Sequence, residues 1–292
     1  MASEALISLI EQQGALDKAS DVVQPAITNA FKAAGPTGQA VKNFLHGKWL
    51  GHPLHPVLTD VPVGAWTAAL ALDALEAISG RKSFGRGADA AVAVGLVGAV
   101  GSAVTGLTDW SDTHGRARKV GMMHALLNTG ATLLYTTSLL MRRRKARGAG
   151  MGFAMLGYAV SGAAAYLGGH LVFGEQVGVD HTAAQAMPHD FVPVLAEAEL
   201  QDGVLTKAMA GNVPVLLVRR GGEIYAIAET CSHFGGPLSK GKLEDDIVQC
   251  PWHGSRFKIE DGTVVDGPAT RPQPCFETRI RDGQIEVRAT DD

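Results

Sequence analysis

The chain has 292 residues, enough for two domains, and a formal net charge of −3, which offers nucleic acid no electrostatic partner. Hydrophobic residues make up 46% of it but aromatic residues only 6%, and 36 residues are glycine. Such richness in Ala, Gly, Val and Leu is the composition of small-residue helices packed in lipid.

Residues 1–45 form an amphipathic segment. Leu6, Ile7, Leu9 and Ile10, then Val22, Val23, Ile27 and Phe31, recur at roughly helical spacing among polar residues, with interruptions expected at Pro25 and Gly35-Pro36. Two readings stand: a helix lying on a membrane surface, or one packed on its own protein. No basic region leads into an apolar run, so no cleavable signal peptide is expected.

Residues 46–174 hold four apolar segments, at about 57–78, 90–107, 120–141 and 151–173. The first carries Asp60, Asp73 and Glu76. The third and fourth carry one histidine each, His124 and His170. Segments of about 20 apolar residues match a bilayer's hydrocarbon core, so an all-α four-helix transmembrane bundle is expected. Gly95, Gly98 and Gly101, and Gly157, Ser161, Ala165 and Gly168, favour close helix packing. The first connection holds Arg81, Lys82 and Arg86, and the third holds Arg142, Arg143, Arg144, Lys145 and Arg147. The second holds Arg116, Arg118 and Lys119. By the positive-inside rule the first and third connections face the cytoplasm and both termini lie outside it.

Ionisable groups in membrane segments are candidate functional sites. Here they are His52, His55, Asp60, His124 and His170, which an up-and-down trace puts at one face. Three readings compete. One is b-type haem on facing helices, with His124 and His170 best placed. The second is a metal or quinone-head site on His52, His55 and Asp60. The third is polar groups satisfied at the lipid–water boundary.

Residues 175–190 are polar and read as a linker. From 191 to 292 the hydrophobic period becomes two, with strands expected at 191–195, 213–219, 224–228, 247–248, 264–265, 276–280 and 285–288. Gly221-Gly222, Asp261-Gly262 and Asp282-Gly283 mark hairpins. This is a small all-β domain.

Within it stands Cys231-Ser232-His233, then, after sixteen intervening residues, Cys250-Pro251-Trp252-His253. Two Cys–His pairs on two loops suit a [2Fe-2S] cluster in which one iron takes two Cys and the other two His. Tetrahedral zinc also takes two Cys and two His, but zinc fingers pair like with like, and each loop here mixes them. The third cysteine, Cys275, lies outside both loops and reads as a buried strand residue.

With their flanks, Cys231-Ser-His-Phe-Gly-Gly-Pro-Leu238 and Cys250-Pro-Trp-His-Gly-Ser-Arg-Phe257 closely resemble the Rieske family, as do Asp261-Gly262 and Gly267-Pro268-Ala269. The resemblance spans roughly residues 191–289. It implies that Cys231 and Cys250 hold the buried iron and that His233 and His253 hold the outer one through Nδ1. Quinol-oxidising members carry a further cysteine in each loop, bridged together. Gly236 and Trp252 stand there in this chain, which therefore resembles the ferredoxin-like branch. Ser255 is kept as a donor to a cluster sulfide, while Phe257 replaces a tyrosine of high-potential members. Fewer hydrogen bonds to sulfur mean a lower potential, within the broad Rieske range of about −150 to +300 mV.

His52-Pro-Leu-His-Pro56, Asp60-Val-Pro-Val-Gly64 and Thr108-Asp-Trp110 resemble an uncharacterised bacterial four-helix membrane family, over about 46–174. Fusion to a Rieske domain occurs in that family. The expected protein is multidomain: a transmembrane four-helix bundle followed by an all-β Rieske domain on the extracytoplasmic face of the bacterial plasma membrane. It would pass single electrons between a donor and an acceptor, a redox partner protein or quinone, at the membrane surface. The alternatives are a quinol-dependent membrane oxidoreductase, using haem or another metal in the bundle, and a redox sensor. No Gly-rich dinucleotide fingerprint follows a strand, so a self-contained oxygenase is not expected. Oligomeric state is not legible.

Overall fold

The computed structural model describes residues 2–290. Among them are seven α-helices: α1 (Ala2–Glu11), α2 (Gly14–Ala33), α3 (Gly35–His46), α4 (Leu54–Ser79), α5 (Lys82–Trp110), α6 (Gly115–Arg143) and α7 (Arg147–Phe173). The chain divides into two compact units. One runs to Gly38 and resumes over Pro53–Val177; the other takes Gln39–His52 and everything from Gly178 on. This differs from the expected boundary at 45/46, because Gln39–His52 belongs with the β-domain.

In the helical unit, α1 and α2 pack on their own protein. Ile7, Ile10 and Leu16 are buried in one core with Trp110, Val120, Met122 and Leu167. Asp17 and Asp21 pair with Lys119 and Arg118, at 2.9 and 2.6 Å. α2 runs unbroken through Pro25, contrary to expectation; the break falls at Gly35, whose φ is +58°. A single proline costs a helix one hydrogen bond and a local clash, which tertiary packing can offset.

Among the described residues three helices, α4, α5 and α7, are long and apolar enough to cross a membrane. The fourth expected span, in α6, carries Asn128 and a run of threonines, so it fails that test of composition. Its hydroxyls are nevertheless satisfied inside the protein. Thr129, Thr132, Thr136 and Thr137 donate to carbonyls one turn back at 2.8–2.9 Å, and Ser138 donates to Gly150 O at 2.6 Å. Gly95 leaves room for the indole of Trp66, which stacks on Tyr135 with ring centroids 3.9 Å apart.

One end of the bundle is tied by charge. Arg142 is buried within α6 rather than lying in a connection. It forms a fork on Asp73 and reaches Asp89 at 3.0 Å. Arg147 joins Glu76, Asp89 and Asp73. Two of the basic residues read as loop charges are therefore structural clamps.

The β unit has ten strands: β1 (Val192–Ala196), β2 (Thr206–Ala210), β3 (Val213–Arg220), β4 (Glu223–Ala228), β5 (Lys242–Glu244), β6 (Ile247–Gln249), β7 (Arg256–Lys258), β8 (Val264–Asp266), β9 (Cys275–Arg281) and β10 (Gln284–Ala289). They pair antiparallel in a six-stranded sheet, β1-β10-β9-β4-β3-β2, and a four-stranded sheet, β5-β6-β7-β8. β3 is apolar on both faces, and side-chain alternation explains it. Val215 and Leu217 meet Phe276, Ile285 and Val287 in one core. Leu216 and Val218 meet Val248, Phe257, Ile259 and both Cys231 and Cys250 in another.

Candidate metal centre

The four candidate ligands lie on two loops, one after β4 and one between β6 and β7, and the loops close identically. In the first, Cys231 N–H donates to Gly236 O at 2.9 Å and Gly235 N–H returns to Cys231 O at 2.8 Å. In the second, Cys250 N–H donates to Ser255 O at 2.8 Å and Gly254 N–H returns to Cys250 O at 3.2 Å. The fifth residue of each loop must turn left-handed, and glycine supplies it: φ is +72° at Gly235 and +75° at Gly254.

Each loop aims two backbone N–H groups at its sulfur, those of His233 and Phe234 at Cys231 and those of Trp252 and His253 at Cys250. Such nests favour negative charge on sulfur. Both cysteines are buried and their thiols share a hydrogen bond. That bond, helped by burial, pushes the Cys231 thiol well up, and it pulls Cys250 down to about 7. His233 and His253 are half-buried, with ring centroids 5.0 Å apart and planes nearly perpendicular. Phe234 packs edge-on against both, and Trp252, 55% exposed, borders His253.

The donors thus come in two like pairs, sulfur with sulfur inside and imidazole with imidazole outside. Among the described residues no three His, Cys, Asp or Glu side chains converge as one ion would require. Two pairs are what a cluster of two irons needs, so the donor set fits a [2Fe-2S] centre.

Around the loops, Gly236 and Trp252 are neighbours. A Cβ at 236 would stand 2.9 Å from Cys250 Sγ and 3.1 Å from the indole. Phe257 is fully buried in the core that includes both cysteines. Ser255, also fully buried, accepts the Ala269 N–H on Oγ at 3.1 Å, so its own proton remains to be donated. Cys275 opens β9 opposite Ile227, as a strand residue.

Sequence reasoning missed Gln273. Its buried amide donates to Ala228 O and Thr230 O, each at 2.8 Å, and accepts Ser232 N–H at 2.7 Å. It grips the backbone on both sides of Cys231. The available signal was a polar residue between Pro272 and Pro274. The expected linker is also less free than its composition implies. His181 stacks on Phe234 at 5.4 Å and donates its N–H to Ser232 O, while Asp180 caps Thr182.

The second set of candidates is only partly gathered. His55 and His124 face each other with ring centroids 6.4 Å apart, and their Nδ1 atoms lie 2.9 and 2.8 Å from the carbonyls of Ser102 and Ala164. Asn128 Nδ2 meets His124 Nε2 at 3.0 Å. His170 is paired with Glu175 at 3.2 Å, Asp60 is exposed on α4, and His52 falls in the other unit. The structure thus brings His124 beside His55.

A β-domain with two cysteine–histidine loops of this build is the hallmark of a Rieske iron–sulfur protein. A family model for the Rieske [2Fe-2S] domain matches residues 190–277, and one described as a predicted membrane protein (DUF2231) matches 51–181. The ferredoxin CarAc of Metapseudomonas resinovorans is 32% identical over 98 residues, 33% of this chain and 92% of that one. The anthranilate 1,2-dioxygenase ferredoxin subunit of Burkholderia cepacia is 36% identical over 95 residues, 32% and 88%. The solved ferredoxin of carbazole 1,9a-dioxygenase from Nocardioides aromaticivorans IC177 is 27% identical. It covers 34% of this chain and 98% of its own, at a TM-score of 0.33. The chain belongs to the Rieske [2Fe-2S] family, with its Rieske domain fused to a domain of the DUF2231 family.

Proposed function

We propose that the protein is a membrane-anchored one-electron carrier. Cys231 and Cys250 hold the inner iron of a [2Fe-2S] cluster, and His233 and His253 hold the outer one. The observation that carries this is the pairing: buried thiols inside, two half-buried imidazoles outside, on loops of identical closure. When bound, the cluster supplies a single electron that can be taken up and released. The protein's own groups do the rest. Backbone N–H groups stabilise charge on sulfur, and the buried core keeps water from the cysteine side. The exposed edge formed by His233, His253 and Trp252 is where a partner gains access. The similar ferredoxin subunit of Burkholderia cepacia belongs to an anthranilate 1,2-dioxygenase, which supports a redox partner protein as donor or acceptor.

Three apolar helices, and a fourth whose hydroxyls are internally bonded, support the anchor. Arg81, Lys82, Arg86, Arg143, Arg144 and Lys145 are exposed at the end that carries the α4–α5 and α6–α7 connections. At the other, Arg116, Arg118 and Lys119 are each paired with an acid. That asymmetry favours a cytoplasmic α4–α5 end and an extracytoplasmic cluster.

The test is a paramagnetic-resonance and optical spectrum of the full-length protein purified from membranes. A reduced [2Fe-2S] signal with the low average g-value of mixed Cys/His ligation is expected, lost in Cys231→Ser and His253→Ala. Recovery of the protein in the soluble fraction, or a zinc-only protein, would overturn the reading.

The catalytic alternative, haem or metal in the helical unit, has His55 and His124 as its best pair. There a ligand would have to displace Asn128 from His124 Nε2. A Soret band in the same spectrum would favour it.

A further inference from the structure

Residues 39–50 lie outside both matched stretches, 51–181 and 190–277. They nonetheless pack within the β unit, on one particular segment of it. Asn43 Nδ2 donates to Asp266 Oδ1 at 2.6 Å, and Asn43 Oδ1 accepts Gly267 N–H at 3.3 Å. Gln39 Nε2 adds a bond to Asp266 Oδ1 at 3.1 Å, and Lys48 Nζ donates to Val265 O at 2.5 Å. Four bonds thus converge on Val265-Asp266-Gly267.

That segment is the back wall of the second cluster loop. Gly267 has φ +91° and presses on the loop so closely that a Cβ there would stand 2.7 Å from Ser255 Cα. Two residues on, Ala269 N–H donates to Ser255 Oγ. An N–H given to that oxygen leaves the hydroxyl proton to point elsewhere and makes it a stronger donor. The strand holding Asp266 is also paired with Arg256, next to Ser255.

We infer that Gln39–His52 is a positioning strap. Through Asn43 it fixes residues 265–269, which in turn hold the Ser255 hydroxyl toward the cluster and so set the cluster's potential. This rests on the proposed [2Fe-2S] site and on Ser255 as donor to it. Gln39 and Asn43 are positioning residues, since they act through Gly267 and Ala269.

The experiment is a redox titration followed by paramagnetic resonance on the full-length protein, in four forms: wild type, Asn43→Ala, Ser255→Ala and the double variant. Asn43→Ala is expected to lower the midpoint potential, by less than Ser255→Ala does. The double variant should titrate with Ser255→Ala alone, because both changes remove one hydrogen bond. Gln39→Ala, which removes one of the two bonds from α3 to Asp266, serves if Asn43→Ala does not fold, and should shift the potential in the same direction by a smaller amount. A potential unmoved by the α3 variants while Ser255→Ala shifts it overturns the strap and leaves the cluster reading standing. Additive shifts overturn it too, since the strap would then act elsewhere. Absence of any [2Fe-2S] signal in wild type overturns the cluster reading itself, and the strap with it.

Discussion

The side-chain oxygen of Gln273 accepts the backbone N–H of Ser232 at 2.7 Å, while its nitrogen holds the carbonyl of Thr230. One buried amide therefore fixes the peptide groups on both sides of Cys231. Gln273→Met should leave those groups without partners and cost about 2–4 kcal/mol, with loss of iron. Denaturant unfolding followed at the cluster absorbance, with iron-to-protein ratio, measures it. Wild-type stability with full iron would show that the amide is no clamp.

Gly236 sits where any side chain meets sulfur. Gly236→Ala puts a methyl 2.9 Å from Cys250 Sγ, and overpacking of this kind costs about 1–3 kcal/mol. Less iron per protein is the expected result, from colorimetric iron and protein assays on freshly purified samples. Retention of full occupancy would mean that the two loops can part without loss.

Removal of iron should loosen one side of the β unit only. Cys231 and Cys250 belong to the core with Leu238, Val248, Phe257 and Ile259, whereas Phe276, Ile285 and Val287 belong to the other. After chelation under reducing conditions, hydrogen exchange should quicken across residues 231–257 and stay slow in β10. Uniform quickening would indicate that the two cores unfold as one.

Arg142 and Asp73 are both buried, so their pairing is more than a surface ion pair. Arg142→Ala leaves Asp73 with Arg147 alone as its ionic partner, at 3.2 Å, and should cost about 3 kcal/mol, the low end for breaking a buried pair. Adding Asp73→Asn should restore part of it. Thermal unfolding in detergent micelles reads both, and equal melting of the single and double variants would remove the charge argument.

The cluster site was legible because its chemistry is local: two short motifs with fixed spacing, and glycines where left-handed turns are needed. The seven strands expected from alternation are present. Those overlooked, β2, β5 and β7, are alanine-rich or short and charged, so period carried no signal. The rest depended on tertiary pairing. Arg142 reads as a loop charge until Asp73, far along the chain, is beside it. Pro25 reads as a break until packing holds α2 across it. Nothing in the sequence around Gln39 and Asn43 names Asp266, more than 220 residues on, as their partner. Position within the third and fourth helices makes His124 and His170 the best-placed pair in the sequence, whereas His55, just inside α4, lies beside His124 only in the fold.

The β unit is built from two separate lengths of chain, Gln39–His52 and the part from Gly178 on. A single protease cut within residues 178–190 would therefore not free it cleanly. The fragment carrying Gln39, Asn43 and Lys48 would still grip Val265, Asp266 and Gly267, and the two pieces should migrate together until a denaturant parts them.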